Sequence, residues 1–252
     1  MKKGIARNVI VFGIITLFIE ASIVSGINIQ IEETISSRGD TLYVGGSGEG
    51  NYTRIQDAIN NASDGDTVFV YNGTYDEHLI INVRINLIGE STHNTIVTGN
   101  SSITVITISS DHVKVQGFTI SSKSPRSRTE YGIEISSSYC NISYCKLIYN
   151  SYEDIRIFGF SNHNNIYRNI FQSAYFGIGF ENCFSCSNTI KHNNFISDRS
   201  PTDGISFRNH WVSNYYDNWI GIGPKIISGH FFPSPLFWIN IDWRPSKVPY
   251  DI

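Results

Sequence analysis

The sequence predicts an all-β solenoid, a parallel β-helix, on three observations. The stretch NNIYRNIF carries an I-x-x-N-x-F pattern at Ile166, Asn169 and Phe171, and NTIKHNNF repeats it 24 residues later at Ile190, Asn193 and Phe195. Twenty-four residues earlier CNISYCKL places Ile142, Cys145 and Leu147 in the same frame. A second track of apolar-x-apolar pairs runs ahead of the first: Ile106/Ile108, Ile133/Ile135, Ile155/Ile157, Ile178/Phe180 and Ile205/Phe207. Each pair is the mark of a short strand with one buried face, and a period in the twenties with several such strands is a stack of coils of roughly 22–28 residues. The leucine ladder and helical segment of leucine-rich repeats are absent.

The same register extends in both directions. Forward, NYYDNW places Asn214, Asp217 and Trp219 one step on; backward, Val115, Phe118 and Ile120 lie 27 residues before Ile142, and Leu87 lies 28 before Val115. Stacking puts equivalent residues ~4.8 Å apart, so Asn169 and Asn193 are expected to form a turn ladder, Asn being tolerant of the left-handed conformation.

Ahead of the repeats, MKKGIARNVIVFGIITLFIEASIVSG has Lys2, Lys3 and Arg7 before an apolar run from Val9 to Ile19, then small residues at Ser25 and Gly26. Residues 1–26 are expected to be a secretory signal, with an uncleaved anchor as the alternative; the chain would then be secreted, periplasmic or at the cell surface, with no stable membrane span after cleavage. Residues 27–66 are expected to hold an N-terminal segment and an amphipathic cap helix. Ile55, Ala58, Ile59 and Ala62 share one face there, and Thr53 and Gln56 suggest a capping box. The β-helix is expected over 67–219. Residues 220–252 break the repeat with prolines and with Phe231, Phe232, Phe237, Trp238 and Trp243, and are expected to be an irregular aromatic tail covering the last coil.

A net charge of −3 gives no basic footprint for nucleic acid. Five Asn-x-Ser/Thr sequons, at Asn51, Asn61, Asn72, Asn100 and Asn141, accord with export and mark glycosylation candidates. Cys140 and Cys145, and Cys183 and Cys186, are candidates for two local disulfides or for buried thiols; the two pairs fall about two coils apart, too far for one tetrahedral zinc site. Cys183/Cys186 alone is the one soft-metal candidate, and no cofactor is expected.

The block YVGGSGEGNYTRIQDAINNASDGDTVFVYNGTYDEHLIINVRINLIGE resembles the opening of right-handed parallel β-helix proteins of the pectin-lyase-like superfamily. Among these it is most similar to NosD-like, CASH-type surface proteins, and the resemblance runs from Tyr43 to about Trp219. It implies a right-handed coil and is poorly specific for activity: polysaccharide lyases, glycoside hydrolases, pectin esterases, epimerases and many non-catalytic surface proteins share the fold. The Gln-Asp and Asp-Phe segments of pectin esterases do not occur in the central coils, and no lyase-type Asp cluster with an arginine is visible. The NosD likeness also raises copper-site maturation, yet Met1 is the only methionine and the seven histidines do not recur in register.

Candidate site residues lie just before the second track. The expected column is Tyr131, Glu153, Phe176 and Asp203, with Tyr152, Asp154 and Tyr175 beside it, and with Arg126, Arg128 and Arg199 on overhanging loops. Aromatic faces beside carboxylates suit a sugar ring and its hydroxyls, and the arginines suit an anionic sugar. Glu153, Asp154 and Asp203 are the catalytic candidates, although Glu153 and Asp203, two coils apart, sit at roughly 9–10 Å, the wide limit for an inverting pair. Glu134–Arg156 and Glu181–Arg208 are expected as surface ion pairs. The expected function is non-catalytic binding of extracellular or cell-surface polysaccharide, or a structural surface module. A polysaccharide lyase or glycoside hydrolase and a NosD-like copper accessory are the alternatives.

Overall fold

The computed structural model describes residues 39–99, 104–122, 131–172, 174–181, 187–196, 200–204, 208–229 and 238–252, all within the unit Arg38–Ile252. They form a right-handed parallel β-helix. Three parallel sheets, of eight, six and seven strands, take one short strand each from successive coils. Within a coil the chain visits a first sheet (for example Asn141–Ser143), a second (Lys146–Ile148) and a third (Glu153–Phe158) before rejoining the first at Asn165–Tyr167.

The alternation read from the sequence becomes three inward columns. In the first sheet Leu87, Val115, Ile142, Ile166 and Ile190 are in register and fully buried. In the second, Ile120, Leu147, Phe171 and Phe195 follow one another. In the third, Ile106, Ile133, Ile155 and Ile178 do the same; Leu79 begins that column one coil earlier, and Ile81 begins the adjacent inward column of Ile108, Ile135 and Ile157. Each buried aliphatic chain contributes roughly 1.5–3 kcal/mol from removal of apolar surface. Phe171, Phe195 and Tyr216 stack nearly parallel, at centroid distances of 4.7 and 5.2 Å.

The final coil is shorter than the repeat predicts. Ile190 pairs with Trp211, and Asn193 bonds to Asn214, a step of 21 rather than 24, so the pattern there reads Trp211, Asn214 and Tyr216 instead of Asn214, Asp217 and Trp219. The third sheet slips likewise. Its strand Ser200–Gly204 sets Thr202 opposite Ile178 and Gly204 opposite Phe180, so the slots assigned to Ile205 and Phe207 belong to Thr202 and Gly204. Residues 205–207 lie outside the described residues.

Two asparagine ladders, not one, bind the coils at their corners. Between first and second sheets the backbone N–H of Cys145, Asn169 and Asn193 donates to the side-chain Oδ1 of Asn169, Asn193 and Asn214 respectively, at 2.8–3.0 Å. The Nδ2 of each asparagine donates back to the carbonyl of Ile142, Ile166 or Ile190. Between third and first sheets, Asn164, Asn188 and Asn209 repeat the arrangement. The left-handed conformation expected of the asparagines falls on the residues before them: His163, Arg168, His192, Arg208 and Ser213 have φ of 50–67°. Asparagine is selected for its paired donor and acceptor, which satisfy buried backbone groups in the neighbouring coil.

Cys140 and Cys145 hold the same rungs in an earlier coil, and of the two readings offered for them, a local disulfide or buried thiols, both are buried free thiols. Each Sγ lies against the carbonyl that an asparagine amide would take, Ser110 O at 3.5 Å and Val115 O at 3.9 Å. Cys183 and Cys186 lie outside the described residues.

The first sheet begins with Thr41–Val44, ahead of the helix Ile55–Asn61, whose Ile55, Ala58 and Ile59 are buried. The expected Thr53–Gln56 capping box is not formed. Glu77, from the following coil, accepts the N–H of Ile55 at 2.9 Å and of Gln56 at 3.1 Å, while the Gln56 side chain pairs with the backbone of Ile80. A buried carboxylate satisfies two orphan helix donors at once and complements the positive end of the helix.

At the other end the strands Lys225–Gly229 and Trp238–Asp242 form an antiparallel pair. Asp242 terminates the first-to-second corner ladder: it accepts from the N–H of Asn214 and Ser213, from Asn214 Nδ2 and from the Tyr216 hydroxyl. Ser246 N–H donates to Asn214 O, and Tyr250 exchanges hydrogen bonds with the Asn194 side chain. Buried Trp211, Tyr216 and Ile227 close the core here, whereas Trp243 is exposed. Phe231, Phe232 and Phe237 lie outside the described residues, as do residues 1–26. No helix among the described residues is long and apolar enough to cross a membrane.

Candidate functional site

The outward side of the third sheet gathers the densest charged and aromatic cluster of the candidates. Register places Tyr131, Glu153 and Phe176 side by side, with Ser200 next, and places Glu134, Arg156, Gly179 and Asp203 in the neighbouring column. Asp203 is therefore not in line with Glu153, and the pair expected across Phe176 is not built; the slip of the last strand moves it beside Gly179. The side chain of Asp203 lies outside the described residues.

Arg156 is the centre. Its guanidinium lies over the Tyr131 ring at 4.3 Å, bonds the Tyr131 hydroxyl, pairs with Glu153 at 3.8 Å and forms a close ion pair with Glu181. The expected Glu181–Arg208 pair is replaced by Glu181–Arg156, because Arg208 stands at the corner residue before Asn209. Burial, outweighing the favourable Arg156 charge, pushes the Tyr131 hydroxyl above its ordinary value, with Glu153 and Glu134 acting in the same direction.

A glycine makes the arrangement possible. A Cβ on Gly179 would lie 2.1 Å from the Glu153 carboxyl group, so the Glu153 head occupies the space above Gly179, on the same side as Arg156. Glu153 is 4% exposed and Glu181 far more open. Asp154 faces away from this cluster. It is buried at the corner, where its Oδ1 accepts from Asn150 Nδ2 at 2.8 Å, and Asn150 in turn accepts the N–H of Ser122. Strict alternation fails here, since Glu153, Asp154 and Ile155 are all buried in succession.

At the leading edge Tyr152 and Tyr175 stack at 6.1 Å with planes 12° apart, and both meet Phe176 edge to face, at 5.5 and 4.7 Å. Tyr175 is 43% exposed. The sheet thus brings together Tyr131, Tyr152, Glu153, Tyr175 and Phe176 of the predicted set. Arg126, Arg128 and Arg199 lie outside the described residues. Sequence reasoning missed Arg156 and Glu181 as members; the signal available was Gly179 in the column of Arg156, a small residue opening room beside a carboxylate.

Among the described residues no group of three or more His, Cys, Asp or Glu is arranged to hold a metal ion. Of the sequons, Asn61 and Asn72 are exposed, Asn51 donates to Gly45 O, Asn141 is partly buried in the first sheet, and Asn100 lies outside the described residues.

Known proteins share the fold but not a recognisable sequence. No family model and no curated protein matches the chain. Among solved structures, a pectin methylesterase variant in complex with a hexasaccharide is similar at 16% identity and a TM-score of 0.50, covering 69% of this chain and 65% of its own. This chain thus spans just under two thirds of that enzyme. The pectin methylesterase PemA from Erwinia chrysanthemi is similar at 14% identity and a TM-score of 0.50, over 75% of this chain and 81% of its own. At these identities the likeness is one of fold.

Proposed function

We propose that this protein is an exported, non-catalytic polysaccharide-binding β-helix, with the outward side of the third sheet as its binding surface. The observation that carries the reading is the Tyr152–Tyr175–Phe176 platform beside the Glu153–Arg156–Glu181 cluster. Aromatic faces receive the C–H side of a sugar ring, while carboxylates and a guanidinium take its hydroxyls or acid groups. Strand spacing repeats such contacts every ~4.8 Å, which suits an extended chain more than a single sugar. The solved relative bound to a hexasaccharide supports a saccharide ligand for this architecture.

Arg156 lies between both carboxylates, so donors and acceptors stand side by side for the hydroxyl and acid groups of a ligand. The test is a glycan-array screen of wild type and of Tyr152→Ala/Tyr175→Ala, followed by assay of the bound glycan for new reducing ends or unsaturated products. Binding that falls at least tenfold in the variant, with no cleavage, is expected. Binding untouched by the change removes the third sheet as the site, and cleavage products replace the binding role with a polysaccharide-degrading one.

A further inference from the structure

The C-terminal end of the solenoid holds a second site of different character. The strand His210–Val212 ends the eight-stranded first sheet, and the strand Trp238–Asp242 pairs with Lys225–Gly229 rather than with it. Between the two runs a cleft of about 550 Å³, the size of an ordinary small-ligand site. Asp242 ties its two walls together through Ser213 and Asn214, so the opening is held by hydrogen bonds from both sides.

The lining sorts by chemistry. Trp211 is buried in the wall, its Nε1 having no hydrogen-bond partner among the described residues, and Trp243 is 71% exposed. Arg208 and Arg244 both reach the cleft, and neither has an ion-pair partner among the described residues. Asp242 is the one carboxylate in the lining. Its oxygens accept from Ser213, Asn214, Tyr216 and the N–H of Arg244 and form no ion pair with either guanidinium group among the described residues, so the lining sets two arginine charges against one carboxylate. An exposed indole face beside two uncommitted guanidinium groups selects a ring that carries negative charge.

We infer that this cleft binds an acidic saccharide, a sugar ring stacked on Trp243 with its carboxylate held by Arg208 and Arg244. The site is separate from the third sheet and stands whether or not that surface binds glycan. Neither arginine is needed for the fold: both side chains are exposed, and the left-handed backbone at Arg208 accepts Asn at that position.

The test is a tryptophan-fluorescence titration of the full chain with a trisaccharide of uronic acid residues. The carboxyl-reduced trisaccharide and acetate serve as comparison ligands, and Arg208→Asn/Arg244→Gln, Trp243→Ala and Tyr175→Ala as comparison proteins. Saturable binding of the acidic trisaccharide is expected, at least tenfold weaker for the reduced one, for the double-arginine variant and for Trp243→Ala, and unchanged for Tyr175→Ala. Equal binding of the reduced trisaccharide overturns the role of the arginines, and equal binding of acetate makes the cleft a simple anion pocket. No binding, or binding lost in Tyr175→Ala and kept in the arginine variant, removes the cleft as a saccharide site. If Trp243→Ala fails to fold, the double-arginine variant decides the matter.

Discussion

At the scale of single residues, burial sets chemistry that residue type alone does not. Burial pushes the Cys145 thiol up to about 12 and raises that of Cys140, so neither supplies a thiolate near neutrality. Alkylation of the native protein followed by peptide mapping is expected to leave both unlabelled, and unfolding to expose both. A Cys140–Cys145 disulfide in the native protein would contradict the ladder role given to them. His192 works in the opposite sense. Burial first, then Lys191 and Arg168, lowers its pKa below the ordinary 6.5. The unfolded chain takes up a proton there that the folded protein resists, so the group's stability contribution is present above pH 6.5 and lost as pH falls below it. His192→Asn, which suits the left-handed backbone at this position, is expected to flatten that acid-side loss in thermal melts measured from pH 7.5 to 5. An unchanged pH slope would show that His192 does not supply it.

At the scale of elements, the repeats were legible because they obey two simple rules, alternation in short strands and a constant step. Ile106 to Ile178 and Val115 to Ile190 land as the spacing predicts. The readings that failed did so where a rule was applied past its support. Trp211 replaces isoleucine in a shortened coil, and extrapolating a 24-residue step therefore overran Asn214. Thr202 and Gly204 do not form the apolar pair that marks the other coils, so the apolar Ile205/Phe207 drew the register three residues too far. The helix cap was invisible locally because Glu77 lies more than twenty residues from the N–H groups it accepts. The site was half legible: Tyr152, Glu153 and Tyr175 came from composition at one edge, while Arg156 needed the pairing of three strands. The ladder gives this scale its prediction. Asn193→Ala removes the acceptor of the Asn169 N–H and the donor to Ile166 O, both buried. A loss of about 2–3 kcal/mol in chemical denaturation is expected from the stranded groups; a loss below ~0.5 kcal/mol would mean that the coils do not depend on this ladder.

At the scale of the whole molecule, a solenoid must end its sheets and its ladders without leaving open edges. Asp242 does this for one ladder with a carboxylate, an all-acceptor group matched to the donors of the last rung. Asp242→Ala is expected to cost on the order of 3 kcal/mol, and Asp242→Asn less, because the amide keeps one acceptor oxygen. Equal losses for the two substitutions, in the same denaturation experiment, would contradict this, since the single oxygen kept by the isosteric amide would then satisfy none of the last rung's donors. The two surfaces that result are unlike: a repeating aromatic–carboxylate side on the third sheet and a cationic cleft at the C-terminal end. The first carries the central claim. The most direct measurement is the affinity of the full chain for immobilised polysaccharides, compared with that of Tyr152→Ala/Tyr175→Ala under conditions where both have the same thermal midpoint. Retention of at least one polysaccharide by the wild type, weakened tenfold or more in the variant, is the predicted result; equal retention of both proteins, or none by either, would contradict it.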